Sequence, residues 1–160
     1  METSTQEPRI GFAPNEIDQS AATRDVPHKW VVVIDRDLPA GRAANAAVSV
    51  ASATMALTRG VLGQDAVDAD GFVHPGLPWI GCTVLGADAS QLADIRARAA
   101  VAPGVALADM PTQAQRTRVY DDYLFAISST RASDLSYYAL SVFGPRKVVD
   151  KLVKGLTLLA

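Results

Sequence analysis

The closing segment, residues 138–159, runs without a gap from an apolar strand pattern through Gly144 and Pro145 into an amphipathic helix. A proline fits the first position of a helix, where its missing N–H costs nothing, and Gly155 fits the left-handed residue that ends one. At about 100° per residue, Val148, Val149, Leu152, Val153 and Leu156 fall on one side, with Arg146, Lys147, Asp150, Lys151 and Lys154 on the other. A strand that feeds directly into a helix with one apolar face needs a sheet for that helix to cover.

The rest of the chain repeats this alternation. Residues 30–34 form a continuous apolar run, as in a strand covered on both faces, and Pro39 and Gly41 open a long helix to about Arg59. A loop rich in Gly, Asp and Pro follows over 60–78, then a second strand over 79–85. Asp88 and Gln91 have capping-box spacing for a helix to about Val101, which Pro103 and Gly104 end. A third strand is expected over 105–109, a helix from Thr112 to about Ser128, and a fourth strand over 136–143 before the closing helix. In that middle helix Val119, Tyr120, Tyr123, Leu124 and Ile127 have helical spacing, which reads as a core-facing stripe; an aromatic platform for bases is the alternative. Together these elements predict a three-layer α/β/α sandwich around a four-stranded mixed, mostly parallel sheet.

The 160 residues suffice for one domain, assigned to 29–160. Residues 1–28 lack apolar periodicity and a signal-peptide core, so they are expected to form a flexible tail whose deletion leaves stability nearly unchanged. They hold five acids and two bases, leaving a nearly neutral remainder with no general pull on nucleic acid. No segment reaches the roughly 20 apolar residues of a membrane span, and the single cysteine, Cys82, excludes an intrachain disulfide. The expected location is the cytoplasm. Cys82 lies in an apolar run and reads as a buried strand position.

The closing segment resembles the last strand and helix of archaeal/eukaryotic-type (type II) peptidyl-tRNA hydrolases. Residues 29–51 look like that family's first strand, Asp-Leu turn and small-residue first helix. Leu38 to Gly41, Asn45 to Ala47, Met110 to Thr112 and Val149 to Leu156 are similar still more closely to a related bacterial group, the Domain of Unknown Function 2000 family. The resemblance implies a peptidyl-tRNA hydrolase type II-like fold. It also implies a lysine, a glutamine and a histidine along the first helix, and an ungapped alignment from Asp37 and Leu38 places these at Ala44, Val48 and Ala51. Neither alanine nor valine donates a hydrogen bond or moves a proton, so the hydrolase chemistry is expected to be lost.

A second polar stripe, Arg42, Asn45, Ser49 and Ser52 with Arg59 nearby, lies about 100° round the same helix. It is either a functional face or simply the water-facing side, and the Asn45 amide either reads a ligand or caps a neighbouring loop. Asp37 follows the first strand, while Asp109 ends the third and Thr112 follows it, where ligands of open α/β sheets bind. The candidate ligand-binding residues are Asp37, Arg42, Asn45, Ser49, Asp109 and Thr112. Turn and cap duty is the alternative for the acids and Thr112. His28 and His74 have no partner at metal-ligand spacing, so no metal and no cofactor are expected. Three readings follow: a binding protein holding a small molecule or partner in the equivalent cleft, a diverged hydrolase, and an oligomerisation module. The first helix is apolar or small over most of its circumference, with Ala47 and Ala51 in it, so a homodimer is expected unless the middle helix covers that surplus face.

Overall fold

A computed structural model describes residues 10–160. The elements are β1 (Ile10–Gly11), β2 (His28–Asp35), α1 (Ala40–Leu57), β3 (Thr58–Arg59), β4 (Ala66–Val67), β5 (Val73–His74), β6 (Thr83–Ala87), α2 (Ala89–Ala100), β7 (Ala106–Pro111), α3 (Tyr120–Ser128), β8 (Tyr137–Pro145), α4 (Arg146–Leu152) and β9 (Thr157–Leu158). The main sheet has five strands in the order β7-β8-β2-β6-β9. Two expectations change here. The sheet gains β9, because Gly155 at φ +87° turns the chain back so that Thr157 and Leu158 pair with β6. And the sheet is mixed but mostly antiparallel: β2 and β6 run parallel, whereas β8 runs antiparallel to both β2 and β7, and β9 antiparallel to β6.

Alternation along the strands builds two cores. Trp30, Val32, Ile34, Ala139 and Phe143 face α1, which contributes Ala43, Ala46 and Val50. Val31, Val33, Leu140 and Val142 face the other way, onto Leu92, Ile95 and Ala99 of α2, Val149 and Leu152 of α4, and Val153 just after it. The expected apolar side of the closing helix is thus the buried one. The capping box at α2 is also present: Gln91 N donates to Asp88 Oδ1 at 2.8 Å, and Asp88 N donates to Gln91 Oε1 at 2.9 Å.

A chain of buried hydrogen bonds fixes the rotation of α1. The Trp30 indole N–H donates to Ser141 Oγ at 2.8 Å, Ser141 bonds Thr54 Oγ1, and Thr54 Oγ1 donates to the Val50 carbonyl at 2.8 Å. Read in that direction, every proton has an acceptor, which a buried polar set requires. With Thr54 held down, Ala43, Ala46 and Val50 point to the sheet, and Asn45, Val48, Ser49 and Ser52 point to solvent. Ala47 and Ala51 are half-buried against the sheet core rather than outward-facing.

Residues 10–28 do not hang loose as expected; residues 1–9 of that expectation lie outside the described residues. Gly11 takes φ +139° beside Arg59, so close that a Cβ there would sit 2.1 Å from the Arg59 carbonyl oxygen. Phe12, next in sequence, is 2% exposed, packed 4.8 Å from the Trp79 ring and edge-on to His28 at 4.9 Å. Arg146 closes the far end of this strap by donating to the Val26 carbonyl at 2.9 Å and to the Thr23 carbonyl. The pattern gave no warning because one buried aromatic and a backbone clamp leave no periodicity. Phe12→Ala is expected to cost about 3–5 kcal/mol, read as a lower denaturant midpoint with an unchanged slope. A midpoint equal to the wild type would contradict this packing.

Candidate functional site

The expected middle helix breaks in two. Thr112–Gln115 forms a 3-10 turn, and α3 begins only at Tyr120. Between α1 and the 117–123 segment lies an open cleft of about 470 Å³. Asn45, Ser49 and Ala53 form its α1 wall; Asp109, Met110 and Ala114 close one side, and Thr117, Arg118, Val119, Tyr120 and Tyr123 the other. The structure therefore brings three of the six sequence-selected residues together: Asn45, Ser49 and Asp109.

The other three lie elsewhere. Asp37 lines a separate depression of about 290 Å³ with Arg36 and residues 157–160, at the end of β2. Arg42 touches the first cleft only indirectly, through its carbonyl, which accepts from Gln115 Nε2 at 3.0 Å. Thr112 is buried, its N–H donating to the Ser136 carbonyl at 2.9 Å. Ala44 and Ala47 line a third, apolar depression of about 380 Å³ with Ile34, Leu38, Val84 and Leu159. α1 thus separates a polar cleft from an apolar one.

Within the polar cleft the acceptors and donors are largely spoken for. Gln115 Nε2 donates to Asn45 Oδ1 at 3.2 Å, so the asparagine does tie down a neighbouring turn. Ser49 Oγ donates to the Asn45 carbonyl at 2.9 Å, and Ser52 Oγ to that of Val48 at 2.8 Å, both back into their own helix. Asp109 Oδ2 is held by Arg96 Nε from α2 at 3.0 Å. That hydrogen bond pushes the Arg96 guanidinium above its already high ordinary range, against the smaller opposing effect of burial. Burial, with the nearby Asp109 carboxylate, raises the Tyr123 phenol above its usual range and keeps it a protonated donor.

The residues missed from the sequence are on α3. Its apolar positions are not a core stripe. No residue of α3 is buried, and Phe125 is 74% exposed, Tyr120 72%, Val119 56% and Leu124 49%. Tyr123, Ala126 and Ile127 are half-buried, so the helix rests on its neighbours by one narrow edge. Helical spacing identifies which residues share a side. It carries no signal for whether anything covers that side.

Cys82 also departs from its expected burial. It precedes β6 and is exposed as a residue. No group of three or more His, Cys, Asp or Glu among the described residues is arranged to hold a metal. No described helix is long and apolar enough to cross a membrane.

Residues 28–160 match the model of the family described as protein of unknown function (DUF2000), and the chain belongs to that family. Among solved structures it is similar to the protein of unknown function Atu0240 from Agrobacterium tumefaciens strain C58. The likeness has a TM-score of 0.77 and 22% identity, and covers 84% of this chain and 98% of that one. At that identity it speaks for the fold alone. No curated protein matches.

Although Cys82 is exposed as a residue, desolvation around the sulfur pushes its thiol from 9.0 to about 11, against a smaller lowering effect of the Val32 backbone. Below about pH 9 the thiol is protonated whether the chain is folded or unfolded. Between about pH 9 and about 11 only the unfolded chain loses the proton, so stability falls as pH rises through that window. At pH 8 the folded thiol is expected to react with a disulfide reagent about tenfold more slowly than in the unfolded chain, because the smaller thiolate fraction is partly offset by the greater nucleophilicity of a more basic thiolate. Equal rates would contradict the shift.

Proposed function

As a member of a family of unknown function, this chain is, we propose, a binding domain without peptidyl-tRNA hydrolase chemistry, which receives a protein partner at the cleft between α1 and the 117–123 segment. The observation that carries this reading is the exposed apolar surface of α3 on the rim of that cleft. Exposed contiguous apolar patches larger than a few hundred Å² are rare on monomeric proteins and mark interaction sites. Catalysis has less support. A general base needs a basic acceptor within reach of a substrate proton, whereas Asp109 gives its Oδ2 to Arg96, and Asn45, an amide with no basic group, gives its Oδ1 to Gln115. The positions at which the resemblance to type II peptidyl-tRNA hydrolases implies a polar stripe hold Ala44, Val48 and Ala51, and α1 exposes Val48 where those hydrolases would have a polar group.

A small anionic aromatic ligand is the second reading. It is favoured by Arg118 beside Tyr120 and Tyr123, in a cleft whose volume falls within the range of ligand pockets.

The purified protein is expected to release no peptide from N-blocked aminoacyl-tRNA above background. Turnover that disappears in Asn45→Ala would overturn the reading in favour of a diverged hydrolase.

A further inference from the structure

Resting on that reading, we infer that the occupant of the cleft is a second copy of this chain, with the α3 ridge of each subunit seated in the cleft of the other about a two-fold axis. An isologous contact requires one face to carry both a shape and its complement. This face does. Leu124 and Phe125 project from α3 as an exposed apolar ridge, and the cleft of about 470 Å³ opens beside the first turn of the same helix.

Charge supports the same pairing. Arg118 stands on the cleft wall, while Asp121 and Asp122 stand on the first turn of α3. Among the described residues none of the three has an ion-pair partner. Seating one ridge in the opposite cleft brings Asp121 and Asp122 of one copy toward Arg118 of the other, and the two-fold axis makes the match twice.

Area supports it as well. Large aromatic side chains bury on the order of 150–250 Å² each. At their observed exposures, Tyr120, Leu124 and Phe125 with Val119 offer on the order of 400 Å² of apolar surface per subunit. A stable interface needs about 800 Å² per partner, and the polar cleft walls supply the remainder. α3 itself has a reason to be covered. Isolated helices shorter than about 12–15 residues are marginal in water, and α3 spans nine residues, none of them buried.

Light scattering at micromolar concentration is expected to give a mass near twice 16.9 kDa. Phe125→Glu is expected to give the monomer mass with an unchanged circular dichroism spectrum, because the side chain is exposed. Val101→Glu, on the exposed end of α2, is expected to leave the dimer intact. Arg118→Asp alone, or Asp121→Arg with Asp122→Arg, should each weaken the dimer about tenfold or more, and combining all three in one chain should restore it. A wild-type mass of 16.9 kDa, a dimer that survives Phe125→Glu, or no rescue by the charge exchange would overturn the inference. The peptidyl-tRNA assay on the same preparation separates the two claims: a monomer without turnover ends self-association alone, whereas turnover ends the binding reading.

Discussion

The Trp30, Ser141, Thr54 and Val50 hydrogen-bond chain sets the rotation of α1, and the rotation of α1 determines what the surface offers. Three elements meet in it: β2 through the indole, β8 through the serine and α1 through the threonine and the carbonyl. Apolar packing alone would tolerate a small turn of a helix so rich in alanine, since one methyl face resembles another. A buried hydroxyl cannot turn away without losing its partner, at a cost of about 1–3 kcal/mol. With Thr54 fixed, Asn45 and Ser49 are delivered to the cleft, Ala44 and Ala47 to the apolar depression, and Val48 to solvent. One rigid element thus presents a polar face at Asn45 and Ser49 and an apolar one at Ala44 and Ala47.

Legibility in the sequence followed how local the determining chemistry was. The ends of the elements were readable because a cap or a turn is decided within a few residues. The Asp88 and Gln91 box opens α2, and Gly155 ends the turn after α4 in the left-handed region. The sides of the closing helix were readable from spacing. Strand direction was not, because alternating strands and helices suit either direction and the β8 pairing is settled by contacts more than a hundred residues apart, such as Trp30 with Phe143. The fifth strand and the 10–28 strap escaped for the same reason. Each is paired over only two residues, Thr157 and Leu158 with Gly86 and Leu85, and Ile10 and Gly11 with Thr58 and Arg59.

The site was half legible. Asn45, Ser49 and Asp109 share a cleft as the topology suggested, but Asp109 is drawn off by Arg96 from the helix layer across the sheet, a partner no spacing rule supplies. The 117–123 wall was not legible, because an amphipathic pattern marks one side of a helix without specifying whether anything covers it. Breaking the helix after Gln115 swings α3 out to the rim, where the same pattern becomes an uncovered surface. In physical terms, the helix that the sequence suggested as part of the core is the one α-helix among the described residues with no buried residue.

Whether that helix is covered by a second copy is measured most directly by amide hydrogen exchange over Tyr120–Ser128 in dilute and in concentrated protein. If a second copy covers it, α3 amides exchange at least about tenfold more slowly in the concentrated sample while α2 amides are unchanged, since burial by a partner scales with its concentration. Identical exchange of α3 at both concentrations, across a range that spans the light-scattering measurements, would contradict that coverage.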